Sequence, residues 1–146
     1  MKYFLRTTFI LLFLCCSQFG LLAQDKIHWS FGVSDGYVFA KAELSDGWYI
    51  YSMDLDENIG PVPTEVVFEH GENYQLLGDI IATQPIEKKD KAFGVVIPIH
   101  LEEVIFKQAI QLDGANVING SILYMMCNEE GCLPPEYFTF NIEIEE

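Results

Sequence analysis

Phe138-Thr139-Phe140-Asn141-Ile142-Glu143-Ile144-Glu145 closes the chain with strict alternation of apolar and polar side chains. Successive side chains of a strand point to opposite faces, so Phe138, Phe140, Ile142 and Ile144 share one face. Thr139, Asn141, Glu143 and Glu145 share the other. The stretch predicts a half-buried strand, and the same period recurs upstream.

Trp29, Phe31 and Val33 alternate with polar or small residues. Val38, Ala40, Ala42 and Leu44 follow on one face of a second run, with Tyr37, Phe39 and Lys41 opposite. Asp46-Gly47 marks a turn before Trp48-Tyr49-Ile50-Tyr51, which is dense in strand-favouring aromatics. An acidic loop over 54–58 leads to Gly60-Pro61-Val62-Pro63-Thr64, an extended connection because two prolines cannot sit inside a ladder. Val66 and Phe68 share one face of a short strand. Residues 74–82 admit another, and Glu87-Lys88-Lys89-Asp90-Lys91 reads as a charged loop.

Val95, Ile97, Ile99 and Leu101 alternate with Val96, Pro98 and His100, a strand that Pro98 pushes toward a sheet edge. Phe106, Ala109, Ile110 and Leu112 fit helical spacing, but Ile110 and Leu112 also alternate with Gln111 and Asp113, and the strand reading is preferred. Residues 117–126 predict an apolar strand broken at Asn119-Gly120. The total is roughly seven to nine short strands with turns about every 8–12 residues, the pattern of an all-β sandwich.

The chain has 146 residues, of which 50% are hydrophobic and 14% aromatic. That supplies one well-cored domain and argues against disorder. Lys and Arg number 8 against 22 Asp and Glu, a net charge of −14 that argues against nucleic acid and anionic membrane surfaces as partners. Lys2 and Arg6 precede an apolar run from Phe9 to Leu14, and Ala23 offers a small residue for cleavage. Residues 1–23 therefore predict a secretory signal peptide, with the mature domain over 24–146. Removing them leaves six cations against 22 acids, a net charge of −16. Cys15 and Cys16 leave with the leader, so Cys127 and Cys132 remain in a compartment where disulfides persist. No second long apolar segment follows, so no membrane contact is expected after cleavage.

Cys127 and Cys132 flank the polar loop Asn128-Glu129-Glu130-Gly131, and a hairpin-like bend brings their Cα atoms within bonding range. A loop this short constrains the unfolded chain by only about 2 kcal/mol, against more than about 4 for a loop of about 100 residues. Two readings stand: an exchangeable surface disulfide, and a structural bond that rigidifies a turn. Glu129 and Glu130 are like charges for a thiolate, and the loop holds no Lys, Arg or His, so a strongly self-activated nucleophile is not expected. A hydroxyl from Tyr49 or Tyr51 is a candidate donor to that thiolate; ordinary strand packing is the other reading of these tyrosines. His28, His70 and His100 are scattered, so no metal site is expected, and no phosphate or dinucleotide motif is present.

Ser45-Asp46-Gly47-Trp48-Tyr49-Ile50-Tyr51-Ser52, Gly60-Pro61-Val62-Pro63-Thr64 and Met126-Cys127-Asn128-Glu129-Glu130-Gly131-Cys132-Leu133-Pro134-Pro135 resemble, in that order, the N-terminal periplasmic domain of thiol:disulfide interchange protein DsbD. The resemblance spans residues 27–146. It implies an immunoglobulin-like β-sandwich and a redox-active cysteine pair that works without a cofactor. It implies electrons accepted from a thioredoxin-like reductant, itself fed by a membrane domain. They pass on to exported disulfide-containing clients, among them periplasmic isomerases and cytochrome c maturation thioredoxins. By position, Cys132 would form the mixed disulfide, Cys127 would resolve it, and Tyr49 and Tyr51 would flank the site. A loop shielding the disulfide is expected near residues 74–78. The membrane and thioredoxin-like domains are not in this sequence, so a separate protein is expected to reduce the pair. The contrasting expectation is a non-enzymatic exported β-sandwich binding module with a purely structural disulfide.

Overall fold

A computed structural model describes residues 26–91 and 93–144. The expected leader over 1–23 and the boundary at 24 lie outside the described residues. Among these, eleven strands appear: β1 (Ile27–Ser34), β2 (Tyr37–Leu44), β3 (Tyr49–Tyr51), β4 (Glu65–Phe68), β5 (Tyr74–Ala82), β6 (Ile86–Lys89), β7 (Val96–Leu101), β8 (Glu103–Leu112), β9 (Val117–Tyr124), β10 (Met126–Cys127) and β11 (Glu136–Glu143). One 3-10 turn covers Glu57–Ile59 within the acidic loop. No helix among the described residues is long and apolar enough to cross a membrane.

Two sheets, β1-β2-β8-β5 and β11-β9-β4, form the layers of a sandwich. The period-two faces read from the sequence meet between them. Val38, Ala40 and Ala42 of β2 and Val104 and Phe106 of β8 pack with Val66 and Phe68 of β4, Ile118 and Ile122 of β9, and Ile142 of β11. Aromatic contacts close one side: Phe31 of β1 stacks on Phe140 of β11 with centroids 4.1 Å apart, and Trp29 meets Tyr124 and Phe138 edge-on.

A third sheet, β10-β3-β7-β6, extends from one end of this sandwich. It forms where strands run past the main core and change partners. The β2/β8 pair continues as the β3/β7 pair after a turn at Gly47 (φ 81) on one strand and a kink at Glu102 (φ 60) on the other. From the opposite layer, β9 continues beyond Met125 into β10, which pairs with β3. One face of the third sheet sends Ile50 and Met126 into the main core. The reverse face carries a second, smaller core of Tyr49, Tyr51, Leu55, Ile97, Ile99 and Cys127.

Three local expectations are corrected. The charged run 87–91 is not all loop, because β6 covers Ile86–Lys89 and pairs with β7. Its apolar content is too low for a period to show. Pro98 does not mark an edge, since β7 lies between β3 and β6. The Pro98 carbonyl accepts from the Ser52 N–H at 3.0 Å, just past the last β3 pair, Tyr51–Ile99. A residue's N and C=O point to the same side of an antiparallel strand. The proline nitrogen therefore faces the place where β3 has ended, and no ladder bond is lost.

The strand over 117–126 is not broken at Asn119-Gly120 either; its break falls at Met125. Gly120 pairs with Phe140 on one side and Phe68 on the other. A Cβ there would lie 2.3 Å from Phe140 Cζ and 2.5 Å from the Val67 carbonyl oxygen. The glycine makes room for the Phe140 ring, and the Val67 backbone cannot retreat.

Gly120→Ala is expected to lower stability by about 1–3 kcal/mol, the usual cost of overpacking. Urea unfolding with an unchanged m-value checks it; wild-type stability would contradict the packing role. A second expectation concerns His100, which is 3% exposed, packs edge-on to Phe106, and has no hydrogen-bond partner for Nε2 among the described residues. Burial holds its pKa below the ordinary imidazole value, outweighing the opposing pull of Asp54. Below about pH 6.5 the unfolded chain takes a proton that the folded one refuses, so stability falls as pH drops through that value. His100→Phe should flatten this part of the stability–pH curve.

Candidate redox site

Cys127 and Cys132 are joined by a disulfide, with Cα atoms 4.0 Å apart. The intervening residues form the expected tight hairpin. Asn128 N–H donates to the Gly131 carbonyl at 2.9 Å, and Leu133 N–H to the Met126 carbonyl at 2.9 Å. The Asn128 side chain accepts from the Glu130 and Gly131 N–H groups at 2.9 and 3.0 Å, satisfying the turn from within. Cys127, on the inward face of β10 opposite Tyr49, is wholly buried. Cys132 is half-buried and forms an isolated bridge beside it. The two cysteines therefore differ in burial, and Cys132 is the more exposed residue.

Both tyrosines named from the sequence reach the site, because residues two apart on β3 share a face. Tyr51 Oη lies 3.1 Å from Cys127 Sγ and 3.8 Å from Cys132 Sγ. Tyr49 Oη makes a different contact. It donates to Asp90 Oδ2 at 2.9 Å, and Tyr51 Oη donates to the same oxygen at 2.8 Å. Thr64, at the end of the Gly-Pro-x-Pro-Thr connection, donates its hydroxyl to the Tyr51 carbonyl at 2.6 Å and fixes that strand end.

Asp90 escaped the sequence reading. It is wholly buried although it stands between two lysines. Its Oδ1 accepts from Phe93 N–H at 3.1 Å, and its carbonyl accepts from Gly94 N–H at 2.8 Å. That Asp-initiated turn ending in glycine is legible in the sequence as a turn. Its burial is not legible, because the neighbouring residues are charged.

Phe93 was missed as well. Its ring stands edge-on to Tyr51 at 6.4 Å and packs on the cluster that holds Cys127. It approaches Gly60 so closely that a Cβ there would lie 3.0 Å from the ring, at a backbone φ of 121° that only glycine adopts readily. The loop expected to shield the site near 74–78 is not there: those residues belong to β5, in the β1-β2-β8-β5 sheet. Phe93, instead, is an aromatic packed on the cluster that holds Cys127.

The electrostatic expectation also changes. Glu129 is not a bare like charge for a thiolate. Lys88 pairs with its Oε1, and Lys91 with its Oε2 at 2.8 Å. These lysines hold its carboxyl down at about 2. Lys88 also sits over the Tyr49 ring, 5.4 Å from the centroid. Burial, then acceptance by Asp90, pushes the Tyr49 phenol up to about 12, and the same causes raise Tyr51 further. Both hydroxyls keep their protons through neutral pH and act as donors.

This geometry stands beside sequence and structural likeness. The family described as "Thiol:disulfide interchange protein DsbD, N-terminal" matches residues 18–144. The chain belongs to this thiol–disulfide interchange family. Its fold is similar to that of the DsbD N-terminal domain from Neisseria meningitidis in the reduced form, at 20% identity and TM-score 0.60, covering 84% of this chain and 89% of that one. A structure of the complex between the DsbD and PilB N-terminal domains of that organism matches at 18% identity and TM-score 0.60, covering 84% and 87%. The N-terminal periplasmic domain of ScsB from Proteus mirabilis matches at 17% identity and TM-score 0.55, covering 80% of this chain and 45% of that one. None of the curated proteins compared with the chain matches it. The DsbD N-terminal domains share the immunoglobulin-like sandwich seen here.

The raised phenols give a signed expectation. Above about pH 10 the unfolded chain loses tyrosine protons that the folded chain retains, so stability falls as pH rises toward 12. Tyr49→Phe removes one of these groups and should soften that decline. An absorbance titration that finds every tyrosine ionising near pH 10 in the folded protein would contradict the buried Tyr–Asp–Tyr arrangement.

Proposed function

We propose that this protein is an exported, periplasmic thiol–disulfide exchange domain. Its Cys127–Cys132 pair passes electrons between a thioredoxin-like reductant and exported disulfide-containing clients. The observation that carries this reading is the asymmetry of the pair: a half-buried Cys132 beside a wholly buried Cys127, whose sulfur a phenol backs at 3.1 Å. Family membership supports it, and so does the leader expected over residues 1–23.

The chemistry follows from these atoms. A thiolate of the reductant attacks Cys132 Sγ in line with the S–S bond, the new mixed disulfide forms, and the electron pair of the broken bond passes to Cys127. Before attack neither protein sulfur carries a proton, and the single Tyr51 proton points to Asp90. As charge develops on Cys127, that O–H is the nearest donor to turn toward it. Asp90 keeps the Tyr49 hydroxyl and the Phe93 N–H when this happens. The second thiol of the reductant then releases Cys132, and the dithiol is free to reduce a client through the reverse sequence. Cys132 is thus the attacking and attacked sulfur, Cys127 the leaving and resolving one, and Tyr49 and Tyr51 are supporting groups. No cofactor enters these steps.

Cys127→Ser should accumulate a mixed disulfide with a thioredoxin-like domain, and Cys132→Ser should not. A reduction potential well below about −300 mV together with no trapped complex would refute the reading. So would full function in a Cys127→Ser/Cys132→Ser double variant, the outcome expected of a binding module with a structural disulfide.

A further inference from the structure

The tip of the cysteine hairpin is tied to a different part of the chain, and nothing in the exchange steps above uses that tie. Glu129 lies midway between the two cysteines. Its two carboxyl oxygens are held separately, Oε1 by Lys88 of β6 and Oε2 by Lys91 just beyond Asp90. The lysines reach Glu129 across a recess of about 210 Å³ bounded by Tyr49 and the hairpin. Lys88 is fixed at its base as well as its tip. It pairs with Ile97 in the β6–β7 register, on the face of the second core, and its ammonium lies over the Tyr49 ring. The hairpin's own hydrogen bonds close its turn but do not anchor that turn to β6.

We propose that Lys88 and Lys91 clamp the hairpin through Glu129 and so hold Cys127 and Cys132 in bonding position, setting how readily the pair is reduced. The inference rests on the exchange reading and deepens it. In the dithiol state the sulfurs are joined through the loop and the hairpin's two backbone hydrogen bonds, and their effective concentration toward each other depends on how far that hairpin can open. A clamp on the loop tip restricts that opening, raises the effective concentration and favours the disulfide. The ion pairs are solvent-exposed, so the effect is modest and salt-sensitive, on the order of two- to tenfold in the equilibrium constant. Lys88, Lys91 and Glu129 are positioning residues in this scheme.

The test is equilibration of the purified protein with a dithiothreitol redox buffer at neutral pH, in low and high salt. One dithiothreitol gives two electrons and two protons to the Cys127–Cys132 bond and leaves as its cyclic disulfide. Lys91→Met and Glu129→Gln should each shift the equilibrium toward the dithiol by about two- to tenfold in low salt, the upper limit being about 30 mV. Both should converge on wild type in high salt, and Lys91→Arg should stay at wild type throughout.

A charge effect on thiolate stability alone predicts opposite shifts, because one variant removes a positive charge and the other a negative one. Opposite shifts, or no shift in either variant, overturn the clamp. The same titration separates the two proposals: the absolute wild-type potential bears on the exchange reading, and only the differences between variants bear on the clamp.

Discussion

The pairing of β10 with β3, only two residues long, is the constraint on which the site depends. Met126 opposes Ile50 and Cys127 opposes Tyr49, and this joins a strand that comes from one layer of the sandwich to a strand that comes from the other. Pleating does the rest. Ile50 and Met126 point into the main core and fix the height of both strands, while Tyr49 and Cys127 point to the reverse face. A shift of one residue would exchange these faces, burying the phenol in the sandwich and turning the sulfur away from it. The large apolar core therefore specifies the register of the small redox cluster.

Within that cluster the Asp90 carboxyl is the shared acceptor. Two phenols from adjacent inward positions of β3 and one backbone N–H converge on it. A buried acid without such donors would be costly, and without it the phenols would lose their shared carboxylate acceptor. The arrangement leaves Tyr51 between a carboxyl oxygen at 2.8 Å and a sulfur at 3.1 Å. A single proton there is within reach of either neighbour, as the proposed departure of Cys127 as a thiolate would require.

Much of this was open to inspection in the chain itself. The faces of β2, β4 and β11 follow from period two because each strand buries one side only. The hairpin between the cysteines follows from a short polar loop, and the tyrosines' shared face follows from their spacing. Asp90, Lys88 and Lys91 were hidden inside a charged run, since a charge that is paired through space looks the same in sequence as one in water. Pro98 and Asn119-Gly120 misled for a related reason. Local propensity marks them as disruptive, but a proline is harmless where the neighbouring strand has ended, and a glycine is required where a facing phenylalanine needs the space.

The sequence by itself determined an all-β sandwich, an acidic composition, and a cysteine pair, Cys127 and Cys132, flanking a short polar loop, with its exchangeable and structural readings both open. It also set the family likeness carried by the Asp-Gly-Trp-Tyr-Ile-Tyr and Cys-x4-Cys-Leu-Pro-Pro segments. These are local or periodic properties, written in composition and spacing. Only the tertiary structure decided which sulfur is buried, which carboxyl receives the phenols, and which cations hold Glu129. Each of those depends on residues roughly 40 positions or more apart meeting across strands whose register the core imposes, and no local pattern records such a meeting.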